Sequence, residues 1–214
     1  VLATRADADE RLAEIAHHYA RTLDDSGLEK GAAYARRAGD AALRLRAFDE
    51  AERLYQLGLD LLARRRSDDP AARAELLVAL GGARDRAGET GSATRAFLEA
   101  AEAARRTGRR DLLSRAALGY HAELGLPDGS WRDEQHVALL EEAIAPWGDE
   151  DHPLHALLLA RLAVALYFTR DRSRRVELSG RALAMARRLG DARALARVLL
   201  ARHHALWGPD ARER

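Results

Sequence analysis

The sequence has 214 residues, which is enough for one or two domains and for a core that needs no disulfide or metal. Hydrophobic residues make up 47% and charged residues 32%, so the chain is too apolar for disorder, while no uncharged apolar run reaches the roughly 18 residues that span a bilayer. The 35 basic and 34 acidic residues leave a net charge of +1, which excludes a global field that attracts nucleic acid or an anionic membrane.

Helix-forming residues dominate the composition. The sequence contains 46 Ala and 35 Leu, against 6 Val, 2 Ile and 6 Thr, which excludes a substantial sheet and predicts an all-α fold. The absence of cysteine excludes a disulfide framework, thiolate metal sites and cysteine nucleophiles. Because no leader-like segment opens the chain, we expect a cytoplasmic location.

The first predicted helix carries a single apolar stripe. Leu12, Ile15, Ala16 and Tyr19 recur at the spacing of one helix face, which predicts an amphipathic helix over about residues 9–24. The same periodicity continues along the chain. The predicted helices run over about residues 9–24, 28–46, 49–65, 70–87, 92–107, 109–124, 133–147, 153–169, 173–189 and 191–207.

Signals for helix ends support several of these boundaries. Asp49 with Glu52 three residues later resembles a capping box at the start of the third helix. Asp69 followed by Pro70 is typical of an N-cap and a first helical residue, and Gly88 can adopt the left-handed conformation that ends a helix.

Short connections organise the predicted helices. Most are two to six residues long, so neighbouring helices must fold back as antiparallel hairpins. The longest irregular stretch, residues 125–130, predicts a loop that departs from the regular architecture.

An internal repeat is the main organising feature of the sequence. Residues 93–100 match residues 51–58 at an offset of 42, and residues 104–108 match residues 186–190 at an offset of 82. Two offsets that are multiples of about 41 indicate a repeated two-helix unit. A period of this length is typical of an α-solenoid, in which stacked hairpins bury one another's apolar faces.

The residue types at the matched positions resemble the tetratricopeptide repeat. One repeat has Leu77, Leu80 and Gly81 on its first helix and Ala93, Phe97 and Ala100 on its second, while the other has Ala35, Ala38, Gly39, Ala51, Tyr55 and Gly58. A glycine in mid-helix costs about 1 kcal/mol relative to alanine, so Gly39 and Gly81 predict close approach of a neighbouring helix.

This resemblance implies a right-handed superhelix of about ten helices in one domain. We expect a single domain over residues 1–214, made of a leading helix, four hairpins and a last helix without a hairpin partner. These parts are residues 1–27, then hairpins 28–66, 69–108, 109–148 and 152–190, and finally residues 191–207.

Three ordered blocks resemble a more specific family. Residues 12–19, 34–42 and 47–51, together with 205–210, are similar to the helical-repeat segment of large actinobacterial LuxR-type and maltose-activator-like regulators, which are signal-transduction ATPases with numerous domains. The resemblance implies an ATPase before this segment and often a helix-turn-helix after it. Because the sequence begins without Met and ends just after a helix, we expect a fragment of such a regulator.

The family resemblance implies binding, not catalysis. We expect a sensor or interaction segment that binds a protein, a peptide or a small effector, needs no cofactor, contacts neither nucleic acid nor membrane directly, and can form homo-oligomers. The alternative is a stand-alone scaffold for protein assembly. The resemblance also implies that first helices line the concave wall, which would place there Arg36, Asp40, Glu75, Asp85, Tyr120, Glu123 and Tyr167.

Other chemistry has little support in the sequence. No phosphate-binding glycine loop occurs, so a nucleotide site is not predicted. Glu14 and His17 have the i, i+3 spacing of a di-metal helix but lack a second such motif. His152 and His155 could bind an ion, although the following Pro153 favours a helix start for His152.

Arginine clusters are the remaining candidates for an anion site. They occur at residues 64–66, 105–106, 109–110, 170–175 and 187–188. Most fall in last helical turns or the loops that follow, where a cation interacts favourably with the helix dipole by about 0.3 to 1 kcal/mol. We therefore interpret them as helix-end residues.

Overall fold

The computed structural model describes residues 2–22, 24–120, 134–169 and 171–207, with side chains from residue 11 onward. Within these residues the chain forms ten α-helices, one short 3₁₀ turn at Ala145–Trp147 and no strand. The helices are α1 (Leu2–Tyr19), α2 (Asp25–Arg44), α3 (Phe48–Ala63), α4 (Pro70–Arg86), α5 (Thr90–Arg105), α6 (Arg110–Gly119), α7 (Glu134–Ile144), α8 (Pro153–Ala165), α9 (Arg172–Leu189) and α10 (Ala192–Ala205).

The predicted helices are confirmed, with small shifts at their ends. The largest shift is in α1, which begins and ends several residues earlier than predicted. The predicted end of the sixth helix and the loop at 125–130 lie outside the described residues. None of the described helices is both long enough and apolar enough to cross a membrane.

Aspartate caps fix several helix starts. The carboxylate of Asp69 accepts a hydrogen bond from the Ala72 amide at 2.9 Å, and Pro70 is the first residue of α4, as predicted. Asp24 caps α2 in the same way through the Gly27 amide at 2.8 Å. Gly88, with φ of 85°, adopts the predicted left-handed conformation after α4.

The predicted capping box at Asp49 and Glu52 is wrong. Helix α3 begins at Phe48 after Ala47, which offers no side-chain cap, so Asp49 lies inside the first turn. Glu52 instead accepts a hydrogen bond from Arg84 of α4 at 2.8 Å. A contact between neighbouring helices therefore uses the carboxylate that the local pattern assigned to a cap.

The chain divides into two compact units, residues 1–112 and 113–214, and the division falls within α6. In the first unit each helix packs on the next, from α1 to α5, and α2 also contacts α4. The hairpins α2/α3 and α4/α5 are therefore stacked, with their first helices adjacent.

Close helix contacts confirm the repeat in the first unit. A Cβ placed on Gly39 would meet the Tyr55 ring at 2.5 Å, and one placed on Gly81 would meet the Phe97 ring at 2.8 Å. Each aromatic ring belongs to the second helix of its hairpin and fills the space that glycine leaves on the first. The matched glycines thus serve the same packing contact, as the sequence predicted.

Helix α8 is the central helix of the second unit. It packs against α7, α9 and α10, and α9 also packs against α10. Leu158, Leu159 and Leu162 are all buried, and α8 is buried on nearly every side. This arrangement explains why α8 is apolar on nearly every side, with only His155 and Arg161 as polar residues, where the other helices carry an apolar stripe.

Enlarging Ala93 should destabilise the chain by overpacking the α4/α5 contact. Ala93 is 2% exposed, so Ala93→Leu is expected to lower the free energy of unfolding by about 1 to 3 kcal/mol, measured by urea denaturation. Arg95→Leu, at an exposed position two residues later on α5, is the control and should stay within about 0.5 kcal/mol of the wild type. Equal stabilities for the two variants would contradict the repeat alignment.

Candidate binding face

Three of the predicted site residues lie together on the first helices of the first unit. Arg36 of α2 lies 3.6 Å from the Asp40 carboxylate one turn later and 3.9 Å from the Glu75 carboxylate of α4. The second oxygen of Glu75 lies 3.9 Å from Arg109, just before α6. The four side chains, which we call the first-helix face, form a row in which negative and positive charges alternate. Their order along the row is Asp40, Arg36, Glu75 and Arg109.

Arg109 is a member of this row that the sequence interpretation missed. Its guanidinium donates two hydrogen bonds to Asp111, at 2.8 and 2.9 Å, which fixes its orientation at the start of α6. A cation at a helix N-terminus opposes the helix dipole. That unfavourable placement was the available signal, and it distinguishes Arg109 from the arginines in last helical turns.

A buried phenol anchors the other end of the row. Tyr55 of α3 is fully buried, and its hydroxyl donates a hydrogen bond of 2.8 Å to the Asp40 carboxylate. Burial, this hydrogen bond and the negative charge of Asp40 raise the pKa of the Tyr55 phenol well above its ordinary value of 10. The bond holds Asp40 in place while leaving the carboxylate half-exposed toward solvent.

The raised pKa of Tyr55 predicts a loss of stability at alkaline pH. The folded state keeps a proton that the unfolded state releases, so the contribution to stability is complete below pH about 10 and is lost as pH rises toward the folded pKa. Tyr55→Phe should cost about 1 kcal/mol at pH 7. The stability difference between wild type and variant, measured by urea unfolding from pH 7 to 11, should shrink at the alkaline end. A difference that stays constant would contradict the raised pKa of the buried phenol.

The other predicted site residues lie elsewhere. Asp85 lies in the last turn of α4, about 15 Å along the helix axis from Glu75 at 1.5 Å per residue. Tyr120 is buried in the second unit, where its ring stacks on His136 at 4.9 Å. Glu123 lies outside the described residues.

Tyr167 belongs to the second unit and follows α8. Its ring contacts Phe168 edge-on at 5.0 Å, and the Arg175 guanidinium lies 5.2 Å from the ring centroid. Arg175 also donates a hydrogen bond to the carbonyl of Ala205 at the end of α10. Tyr167 is therefore held in a packing contact that joins α8, α9 and α10.

The arginine clusters mostly connect helices to one another. Arg64 donates hydrogen bonds of 2.7 Å to the backbone carbonyls of Ala20 and Thr22, which follow the end of α1. Arg188 binds the Asp151 carboxylate through two hydrogen bonds, at 2.7 and 2.6 Å. These bonds give the guanidinium groups partners within the chain, beyond the general interaction with the helix dipole that the sequence predicted.

The histidines near α8 are structural. His152 is the N-cap of α8, as the following proline predicted, and its Nδ1 accepts a hydrogen bond from the Leu154 amide at 3.1 Å. His155 is buried, with its Nδ1 2.8 Å from the Glu150 carbonyl. Within the described ranges, no group of three or more His, Cys, Asp or Glu side chains is placed to hold a metal ion.

A cavity of about 160 Å³ lies between α3, α4 and α5, on different side chains from the first-helix face. Arg73 and Glu99 line it and face each other at 3.6 Å, and Arg84, which also lines it, is bound to Glu52. Its lining charges are thus largely compensated within the protein.

Comparison with known proteins identifies the fold. No protein-family model matches the sequence, and no curated protein sequence matches it. The structure is similar to the crystal structure of BtubC (BKLC) from P. vanneervenii, at 18% sequence identity and a TM-score of 0.68, over 95% of this chain and 80% of that chain.

Two further structures, from Podosopora anserina, have kinesin light chain-like, nearly identical TPR-like repeats, and one of them is a point variant. They are 19% and 20% identical, with TM-scores of 0.63 and 0.62, over 87% of this chain and 89% of theirs. The likeness confirms the predicted fold class, an α-solenoid of antiparallel, tetratricopeptide-like helix hairpins.

Proposed function

We propose that this chain is a non-catalytic interaction module that binds a protein or peptide through the first-helix face. The observation that carries the proposal is the alternating row of charges formed by Arg36, Asp40, Glu75 and Arg109. It extends over successive first helices, so an elongated partner can contact several repeats at once. The similarity to proteins with TPR-like repeats supports this use of the fold.

The ion pairs of the row are weak enough to be redirected to a partner. Arg36 and Asp40 keep 41% of their side-chain surface exposed, and the pairs at 3.6 to 3.9 Å are longer than a direct hydrogen bond. Exposed pairs of this kind contribute only about 0 to 1 kcal/mol. A partner with complementary charges can therefore replace them at low cost, and the pattern would select its register.

In the finer form of the proposal, the chain is a sensor segment of a larger, cytoplasmic, ATP-dependent transcriptional or signalling regulator. The resemblance of residues 12–19, 34–42 and 47–51 to such regulators supports this assignment. A bound partner or small effector would favour one arrangement of the repeats over another. That difference in affinity would shift the activity of an ATPase elsewhere in the parent chain.

A photo-cross-linking experiment tests the binding face. A cross-linking amino acid at position 33, exposed on α2 one turn before Arg36, should capture a partner in the native cell. Glu75→Lys reverses the negative charge in the middle of the row, at a partly exposed site. It should reduce the captured product about fivefold or more, which corresponds to a loss of about 1 kcal/mol of binding free energy. The same amino acid at position 56, exposed on α3, is the matched control.

Two outcomes would overturn the proposed face. The first is capture at position 33 that Glu75→Lys leaves unchanged while circular dichroism shows both proteins folded. The second is equal capture at positions 33 and 56. A stand-alone scaffold and a sensor segment are distinguished separately, because only the sensor predicts that the captured partner changes ATP hydrolysis by a regulator that contains this segment.

A further inference from the structure

Helix α10 carries two apolar stripes, and the second unit covers only one of them. The inner stripe is buried against α8 and α9 and consists of Ala194, Val198, Ala201 and Ala205. The outer stripe includes Leu199 and Leu200, which remain 46% and 47% exposed, and continues into Trp207, which follows the end of α10 and is 53% exposed. Ala192, Ala196 and His203 are also exposed and lie on the same face of the helix as Leu199 and Leu200.

The rings at the end of the outer stripe lie against each other. The His203 ring stacks on Trp207, with centroids 6.4 Å apart and planes 23° apart. Leu199 and Leu200 lie one turn before His203 on the helix surface. The outer stripe is thus a contiguous apolar strip along α10, where the exposed face of a helix is ordinarily polar.

The repeat shows what such a face normally contacts. Eight and twelve residues after its N-cap Asp69, helix α4 has Leu77 and Gly81, both buried. The Phe97 ring of α5 lies directly against Gly81, so this side of a first helix packs on a following helix. The corresponding positions after Asp191, the N-cap of α10, are Leu199 and His203, and both are exposed. Leu199 therefore stands where α4 has a buried packing leucine, whereas His203 carries a ring where Gly81 leaves open space.

Charge beside the stripe limits what can cover it. Arg193 and Arg197 are exposed one turn apart on α10 and form no ion pair within the described residues. No acidic side chain occurs between Ala192 and Ala205. A helix packed on the outer stripe would therefore lie beside two uncompensated positive charges. A second copy of α10 would add its own arginines there, whereas an acidic helix would neutralise them.

We propose that the outer stripe of α10 is a docking site for an acidic amphipathic helix of a partner protein. The partner presents small residues to Leu199 and Leu200, as α5 presents Ala93 to α4, and one aromatic ring to the His203 ring, which stands where α4 has Gly81. Its acidic flank pairs with Arg193 and Arg197. This site lies in the second unit and is independent of the first-helix face.

A synthetic peptide with the sequence of α5 and two substitutions provides a defined probe. The probe has residues 90–105 with Arg95→Glu and Arg105→Glu, which keeps the face that contacts a first helix and makes the exposed face acidic. Binding to the 214-residue chain is measured by isothermal titration calorimetry and by the fluorescence of the exposed Trp207. We expect saturable binding, a blue shift of tryptophan emission and weaker affinity at higher salt. The same peptide carrying Phe97→Glu should not bind.

Variants of the chain locate the binding site. Leu199→Glu should weaken binding by tenfold or more, because it replaces a leucine that binding buries by a charged carboxylate. Arg197→Glu should weaken it about two- to fivefold and reduce its salt dependence. Leu45→Glu is the matched control, since Leu45 is an exposed leucine at the end of α2 in the first unit, and it should leave binding unchanged.

Four results would overturn the proposal. The first is the absence of saturable binding. The second is that Leu199→Glu and Leu45→Glu weaken binding equally while both variants remain folded. A chain that is dimeric by analytical ultracentrifugation and becomes monomeric with Leu199→Glu would assign the stripe to a second copy. If a longer natural form of the chain does not bind the peptide, the outer stripe would be assigned to a helix of the same polypeptide.

Discussion

Trp147→Ala is expected to lower the free energy of unfolding by about 3 to 5 kcal/mol, the range for removing a large aromatic side chain from a core. Trp147 is only 4% exposed, and its ring stacks on His152 with centroids 4.3 Å apart. Its indole Nε1 donates a hydrogen bond of 3.0 Å to the buried Ser114 hydroxyl. Truncation would therefore leave a cavity and remove the hydrogen-bond donor to a buried serine in one step. Urea denaturation followed by far-ultraviolet circular dichroism measures the loss.

Trp207 supplies the control for this prediction, because it belongs to the same unit and is 53% exposed. Trp207→Ala should change the stability by no more than about 0.5 kcal/mol. Ser114→Ala should cost an intermediate amount, about 1 to 3 kcal/mol, since it leaves the buried indole N–H without this acceptor. If Trp147→Ala were as mild as Trp207→Ala, the packing of the 3₁₀ turn against α6 and α8 would be wrong.

Local sequence signals were sufficient for the helices and for several of their ends, although they misplaced both ends of α1 and the cap of α3. Apolar periodicity identified each helix, and Asp69, Pro70 and Gly88 marked the limits of α4 because caps depend on residues only a few positions apart. The two mid-helix glycines predicted close approach for a similar reason. A glycine in a helix interior is unfavourable unless something needs the space that its missing side chain leaves.

Contacts between helices were beyond such local signals. Glu52 satisfies the spacing of a capping box, yet it binds Arg84, 32 residues later. The same carboxylate could serve either role, and only the stacking of α3 on α4 decides between them. Arg109 and Tyr55 were missed for this reason, since their partners Glu75 and Asp40 become neighbours only after the hairpins form.

The division of the predicted site follows from the same limit. Arg36, Asp40 and Glu75 were placed on first helices by family resemblance, and the structure brings them together. Tyr120 was chosen by the same rule, but its ring is buried against His136. Helix order indicates which side of a repeat a residue is on, whereas the depth of its side chain depends on how the neighbouring helix packs.

Tyr55→Ala is expected to destabilise the first unit by about 3 to 5 kcal/mol, because Tyr55 is fully buried and connects α3 to α2. Its ring lies where a Cβ on Gly39 would come within 2.5 to 2.9 Å of three ring atoms. In the wild-type chain Gly39→Ala should therefore cost about 1 to 3 kcal/mol by overpacking. Urea unfolding of each single variant measures both effects.

The double variant tests whether the two residues form one contact. With Tyr55→Ala in place, the space beside Gly39 is open, and Gly39→Ala should become stabilising by up to about 1 kcal/mol, the difference in helix propensity. The effect of Gly39→Ala should thus change sign between the two backgrounds, which additive, independent sites cannot produce. Gly91→Ala is the control, since a Cβ placed on Gly91 would meet nothing within 4 Å beyond its chain neighbours and the backbone of its own helix, and its effect should be the same in both backgrounds. A Gly39→Ala effect that is equally unaffected by Tyr55→Ala would mean that this glycine is not retained for the aromatic ring, and the packing basis of the repeat would fail.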